Sequence, residues 1–179
     1  MPKAQLKRCS WVNVDQVLMR EYHDREWGVP AHDDRTHFEF LILEAVQAGL
    51  SWSIVLNKRK GYSRAFSDFN PEKVARYSAA RIDKLTTDPG IIRNRLKIAA
   101  AVKNARAFLA VQGEYGSFDA YCWQFVDGRP RQNCWKTIHR DVRPHAGGRD
   151  GQRPSNGLFS ISRRSAARHE QQVESDPRR

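Results

Sequence analysis

Glu44 is the only ionisable residue among the seventeen from Phe40 to Leu56. Its neighbours Leu41, Leu43, Ala45 and Ala48 make a helix there apolar nearly all round, which predicts burial of the carboxylate. A carboxylate taken out of water is costly, and its pKa rises unless a cation or donors stabilise it. Such a group is either a structural Glu bonded to a Trp N–H or a backbone amide, or a pocket carboxylate awaiting a cationic or hydrogen-bonding ligand. Trp11, Tyr22, Trp27 and Trp52 suit the second alternative, because flat rings stack on a flat, electron-poor ligand. Ordinary core packing accounts for any one of them equally well. Cys9 and His23 are metal-ligating types, but two donors are half of a tetrahedral zinc site, and each could be structural. Cys122 and Cys134 form no CxxC pair and read as core residues. In the segment from Leu85 to Arg93, Asp88-Pro89-Gly90 predicts a tight turn before a helix. Backbone amides near Gly90 could face a phosphate there, with Arg93, Arg95 and Lys97 adding positive charge. A plain turn between two helices with a solvated basic face is the alternative.

The elements that must position these residues are helices. Periodicity and capping predict them at Val14–Glu21, at Arg35–Ala48 after an Asp33 or Asp34 cap, and from Ser51 to Lys58. Further helices are expected at Pro71–Tyr77 after an Asn70 cap, Ser78–Thr86, Arg93–Val111 and Phe118–Val126. Tyr22 to Pro30 reads as a polar, aromatic loop. No run of alternating β-branched residues suggests a strand, and no internal repeat is present, so the fold class expected is all-α.

With 179 residues, five Trp and eight Phe, the chain has the material for one core. Its formal charge of +11, from 31 Lys and Arg against 20 Asp and Glu, suggests a polyanionic partner, most simply nucleic acid. The apolar stretch around Glu44 is too short and too polar for a membrane span. The basic start is followed by no apolar segment of the kind that makes a signal peptide. Three cysteines cannot build a disulfide framework, which fits a reducing cytoplasm.

Lys7-Arg8-Cys9-Ser10-Trp11, Tyr22-His23-Asp24-Arg25-Glu26-Trp27-Gly28-Val29-Pro30 and Leu43-Glu44-Ala45-Val46-Gln47-Ala48-Gly49-Leu50-Ser51-Trp52 closely resemble the DNA-3-methyladenine glycosylase I family. So do Lys58-Arg59 through Tyr62, Ala65-Phe66, Phe69-Asn70-Pro71, Gly90-Ile91-Ile92-Arg93-Asn94-Arg95 with Lys97-Ile98, and Asn133 with Trp135-Lys136-Thr137. The likeness spans residues 6–137. It implies a helix-hairpin-helix DNA glycosylase fold with Pro89, Gly90 and Arg93 in the DNA-binding hairpin. It implies a monomeric, bacterial, cytoplasmic base-excision repair enzyme that flips 3-methyladenine out of alkylated double-stranded DNA and hydrolyses its N-glycosidic bond. Glu44 matches the family's pocket carboxylate and is the catalytic candidate. Tyr22 and Trp52 match its pocket aromatics, with Trp27 a further candidate from a matching motif. Cys9 and His23 match the first two of four ligands to a structural zinc ion. No segment supplies the catalytic Asp of related glycosylases.

Past Thr137 the family pattern stops, so the fold is expected to be incomplete at its C-terminus. Residues 138–179 carry nine Arg and no Lys, and His139, His145 and His169 stand in no family motif. An Arg-rich, Lys-free tail with Gly, Ser and Pro is the composition of an out-of-frame reading of GC-rich DNA, or of a disordered extension. Two domains are expected on this basis, 1–137 glycosylase-like and 138–179 tail. Residues 1–137 hold a net charge of +7 and the tail +4. The alternative function is then a DNA-binding remnant with weak or no catalysis; a basic RNA-binding protein is a third reading without a supporting motif.

Overall fold

The computed structural model describes residues 8, 9 and 11–130. The motif residues Lys7 and Ser10, the segment Asn133–Thr137 with Cys134, and the whole Arg-rich tail lie outside the described residues, as does the expected domain boundary.

Among the described residues there are helices and turns and no strand. In chain order α1 is Val17–Arg25, α2 Asp34–Gln47 and α3 Trp52–Ala65. A 3-10 turn at Ser67–Phe69 precedes α4 (Pro71–Ala75) and α5 (Ala79–Leu85). The long α6 (Arg95–Tyr115), α7 (Phe118–Trp123) and a 3-10 turn at Gln124–Val126 complete the order. Side-chain oxygens of Asp33, Asn70, Ser78, Asn94 and Ser117 accept from backbone amides two or three residues into α2, α4, α5, α6 and α7. These caps satisfy donors that a helix start leaves without a partner.

Three boundaries differ from the sequence expectation. The first helix begins three residues later than Val14 and continues through Tyr22, His23 and Asp24 to Arg25, so the first four residues of the expected aromatic loop are its last turn. Tyr22 and His23 are buried there, and the tertiary contacts of their rings outweigh the weak helical pattern. The third helix runs past Lys58 to Ala65, straight through Gly61. The sixth runs from Arg95 to Tyr115 and stops at Gly116, whose φ of 81° suits glycine.

The main core joins α2, α3 and α6. Phe38, Ile42, Leu43, Val55, Tyr62, Phe66, Ile98 and Phe108 are at most 1% exposed. Phe108 stacks on Phe118 with ring centroids 4.1 Å apart, which seals α7 onto α6. Asp34 fastens the same joint, accepting from the amides of Phe118 at 2.9 Å and Asp119 at 2.8 Å. Ser67, Asp68 and Phe69 all take left-handed φ values, 52°, 52° and 56°. The Asp68 carbonyl accepts from Arg35 Nε, Ser63 donates to the Asp68 carboxylate, and Ser67 meets the Tyr77 hydroxyl, so side chains from α2, α3 and the link between α4 and α5 hold the turn.

The loop between α5 and α6 leans on α3. A Cβ at Gly61 would collide with the Gly90 carbonyl oxygen, so only glycine lets the helix backbone touch the hairpin. Lys58 Nζ donates to the Pro89 carbonyl at 2.6 Å, and the Ile92 amide donates to the Tyr62 hydroxyl at 3.1 Å. Gly61→Ala is expected to destabilise the protein by about 1–3 kcal/mol through overpacking against backbone that cannot yield. A urea-denaturation midpoint unchanged from wild type would show that the contact is looser than described.

Candidate active site

A second, smaller cluster lies beside the main core and is built from Met19, Tyr22, Trp27 and Leu56, with Cys9, Phe40 and Trp52 packed against it. Tyr22 from α1 and Trp52 from the first turn of α3 meet at 5.3 Å between centroids, inclined at 57°. Phe40 from α2 comes within 6.4 Å of Tyr22. Glu44 follows Phe40 by four residues on α2, so the carboxylate stands one turn along on the same side of the helix. The structure brings the Tyr22 and Trp52 rings together, and Glu44 lies one turn along α2 from Phe40, the ring that faces Tyr22. Phe40 was not expected; its spacing from Glu44 is the signal that could have found it.

Glu44 is half-buried, not enclosed as the apolar run predicts. Leu41, Ile42, Leu43 and Val46 take the core-facing positions of α2, each at most 4% exposed, and leave Glu44 on a side open to solvent. Trp52 Nε1 is a buried donor with no hydrogen-bond partner among the described residues. A buried N–H left unpaired costs about 1–3 kcal/mol, so such an atom beside an aromatic cluster calls for an acceptor beyond the described residues.

Arg59 braces the cluster. Its guanidinium reaches both Glu26 oxygens at 2.7 and 2.8 Å and Glu39 at 2.7 Å, and lies 5.6 Å from the Phe40 ring centroid. Glu26 ends α1, Glu39 is on α2 and Arg59 on α3, so one cation ties the three helices that carry Tyr22, Phe40 and Trp52. Although burial opposes its charge, bonds and attraction to Glu39 and then Glu26 raise its pKa further above the ordinary arginine value, so it is a permanent cation.

Trp27 lies elsewhere in the cluster. Its ring stacks on His23 at 5.1 Å and 19°, and Trp11 meets both edge-on. His23 is fully buried; its Nε2 accepts from the Cys9 amide at 3.4 Å and its Nδ1 faces Asp24 at 3.0 Å. Asp24 is in turn held by Arg8, whose bonds bring its carboxyl down to about 2 against the pull of burial. A carboxylate behind an imidazole is how ligating histidines are oriented. Cys9 and His23 are thus neighbours that fit half of a zinc site, but no group of three or more ligating side chains exists among the described residues.

The hairpin differs in detail from expectation. The Gly90 amide donates to the Asp88 carboxylate at 2.7 Å, Ile91 to the Asp88 carbonyl and Ile92 to Tyr62, so these amides are engaged internally rather than free for a phosphate. Arg95 pairs with Asp83 at 2.9 Å. Lys97 Nζ turns inward to the carbonyls of Val46 and Ala48, both at 2.6 Å. Arg93 is exposed and has no side-chain partner among the described residues, so of the expected basic face it alone is left to meet an anion.

The family model for methyladenine glycosylase matches residues 11–146. A curated relative, the DNA-3-methyladenine glycosylase of Haemophilus influenzae, is 44% identical over 126 residues, covering 70% of this chain and 68% of its own. A crystal structure of a 3-methyladenine DNA glycosylase I superimposes with a TM-score of 0.74 at 34% identity, covering 94% of this chain and 92% of the other. The Staphylococcus aureus 3-methyladenine DNA glycosylase I, solved to explain 3-methyladenine recognition, gives a TM-score of 0.63 at 43% identity. That match covers 64% of this chain and 61% of the other, less than two thirds of its length. The all-helical architecture and these superpositions bear out the helix-hairpin-helix glycosylase fold.

Because one guanidinium serves two carboxylates, Arg59→Met leaves two like charges facing one another. A stability loss of about 1–3 kcal/mol is expected, discounted for partial solvent access. Glu39→Gln added to Arg59→Met should recover part of it. A double variant no more stable than the single in urea titration would rule out the bracing role.

Proposed function

This chain belongs to the methyladenine glycosylase family, and from that premise we propose that it is a 3-methyladenine DNA glycosylase I of base-excision repair whose pocket is Tyr22, Trp52 and Glu44. The observation that carries the pocket assignment is the Trp52 N–H, buried without a partner among the described residues beside the Tyr22 ring, with a half-buried carboxylate on α2. A purine offers what this arrangement asks for: a flat face for the rings and ring-nitrogen acceptors for a donor.

Methylation at N3 makes adenine in DNA a cation, so the leaving group departs without strong protonation. The chain's task is recognition and shielding rather than acid catalysis. The hairpin at Pro89–Gly90, with Arg93 exposed beside it, holds the alkylated duplex by its backbone. The damaged base leaves the stack, stacks on Tyr22 and Trp52, and presents donors and positive charge to Glu44. A neutral adenine gains less from the carboxylate, and this supplies selectivity. As the glycosidic bond breaks, its electron pair leaves with the base as neutral 3-methyladenine, the sugar becomes oxocarbenium-like, and water adds to its anomeric carbon and gives up a proton to solvent. Trp27 supports the pocket from behind by fixing His23, and is assigned no contact with the base.

Zinc enters as a structural ion only. Cys9 and His23 would hold it from the N-terminal side, and the sequence matches only these two of the family's four ligands; no reaction step passes through it. No described helix is long and apolar enough to cross a membrane. A monomer acting on chromosomal DNA in a bacterial cytoplasm fits this activity.

Purified protein is expected to release 3-methyladenine from methylated duplex, and Glu44→Gln to reduce single-turnover release by about 100-fold or more while undamaged-duplex binding is retained. Release unaffected by Glu44→Gln would remove the carboxylate from the mechanism. A wild-type chain that binds duplex but releases no base would instead be the DNA-binding remnant.

A further inference from the structure

Lys97 is on the first turn of α6, immediately after the hairpin. Its amide is fixed by the Asn94 side chain at 3.1 Å, so its backbone belongs to the hairpin's exit. A cation there gains nothing from α6, because the positive end of a helix dipole disfavours it. The ammonium instead crosses to the C-terminal end of α2, where Val46 and Ala48 present carbonyls that no later turn of helix can satisfy. Cations are favoured at that end, and a charged donor to two carbonyls is among the stronger hydrogen-bond arrangements. Ala48, Gly49 and Ser51 just beyond are exposed, and Gly49 takes a φ of 79°. This turn joins the helix bearing Glu44 to the one opening with Trp52. Among the described residues, the hydrogen bonds that link turn and hairpin exit come from a side chain 51 and 49 residues distant in sequence from the carbonyls it holds.

We infer that Lys97 is a positioning residue for base excision: it couples the hairpin seated on the DNA backbone to the turn at 46–51, and so sets Glu44 and Trp52 against the extruded base. The inference rests on the glycosylase reading for its consequence, although the coupling itself is a property of the duplex-bound protein. A phosphate-binding role, which the sequence position suggests, conflicts with an ammonium already committed to two carbonyls.

The test compares wild type with Lys97→Met, which keeps the stem, and Lys97→Arg, which keeps the charge and donors. Three quantities are measured: undamaged-duplex affinity across a salt series, single-turnover release at saturating DNA, and hydrogen exchange across residues 46–51 with and without duplex. Lys97→Met is expected to hold duplex affinity within about twofold and to keep the salt slope. Its saturating release rate should fall by about tenfold or more, with most of the loss recovered by Lys97→Arg. Duplex should slow exchange at 46–51 in wild type and not in Lys97→Met. Weaker duplex binding with a salt slope smaller by about one and an unchanged saturating rate would make Lys97 a phosphate contact and overturn the inference. Equal slowing of exchange in wild type and Lys97→Met would overturn it as well. If wild type binds duplex but releases no base, the glycosylase reading fails, and the exchange comparison still decides the coupling. If it does not bind duplex, both fail. Should Lys97→Met not fold, Lys97→Gln, which keeps a donor without the charge, runs the same comparison.

Discussion

Arg59 holds the aromatic cluster at its open side. Tyr22, Phe40 and Trp52 come from three different helices, and nothing in the backbone of any one helix fixes its neighbours' rings. The main core supplies the hydrophobic driving force for packing α2, α3 and α6, but apolar burial is non-directional and tolerates sliding. A planar guanidinium bonded to Glu26 and Glu39 permits one relative placement of α1, α2 and α3. Beyond its share of the stability, this ion-pair network therefore fixes geometry.

A second constraint operates on the other side of α3. Gly61 allows backbone to meet backbone at Gly90, while Lys58 and Tyr62 bond the hairpin on either side of that contact. One 14-residue helix thus begins at Trp52 in the cluster, passes Arg59 in the ion pairs, and reaches the hairpin within three turns. The hairpin's own amides are occupied by Asp88 and Tyr62. Its shape is therefore set before any ligand arrives, and it would meet a polyanion with Arg93 and with preformed shape rather than with free donors.

How much of this was legible in the sequence varies with the physical range of the signal. The α2 helix was readable from its Asp33 cap and α6 from its periodicity, because both causes are local, whereas the Asn94 cap that starts α6 was not read. The end of α1 was not, since Tyr22 and His23 are helical on account of rings they meet across the fold. Glu44, Tyr22 and Trp52 stood out as chemistry-bearing types, whereas the partners that place them did not. Arg59 entered only as part of a family motif, Gly61 carried no reading, and Lys97 looked like part of a phosphate-facing patch. Each acts through a contact 20 to 51 residues away, which composition and spacing do not encode. The same limit explains the half-burial of Glu44. An apolar run shows that a helix is surrounded; it does not show that one side of it lines an opening.

That opening bears on selectivity in the proposed reading. A fully enclosed carboxylate would hold a cation most strongly, but it would first have to be stripped of water at a cost of several kcal/mol. A half-buried one keeps part of its hydration until the base arrives. At about 4 Å and an effective dielectric near 20, a carboxylate attracts a unit charge by about 4 kcal/mol, against about 1 kcal/mol in bulk water. A cationic purine displacing that residual water gains most of this difference, and a neutral purine pays the same loss of hydration without the Coulomb return. Discrimination then comes from the closing of the site by the ligand itself. It requires the rings to be in place beforehand and the carboxylate to be reachable, and the bracing at Arg59 together with the open side of α2 provides these two conditions.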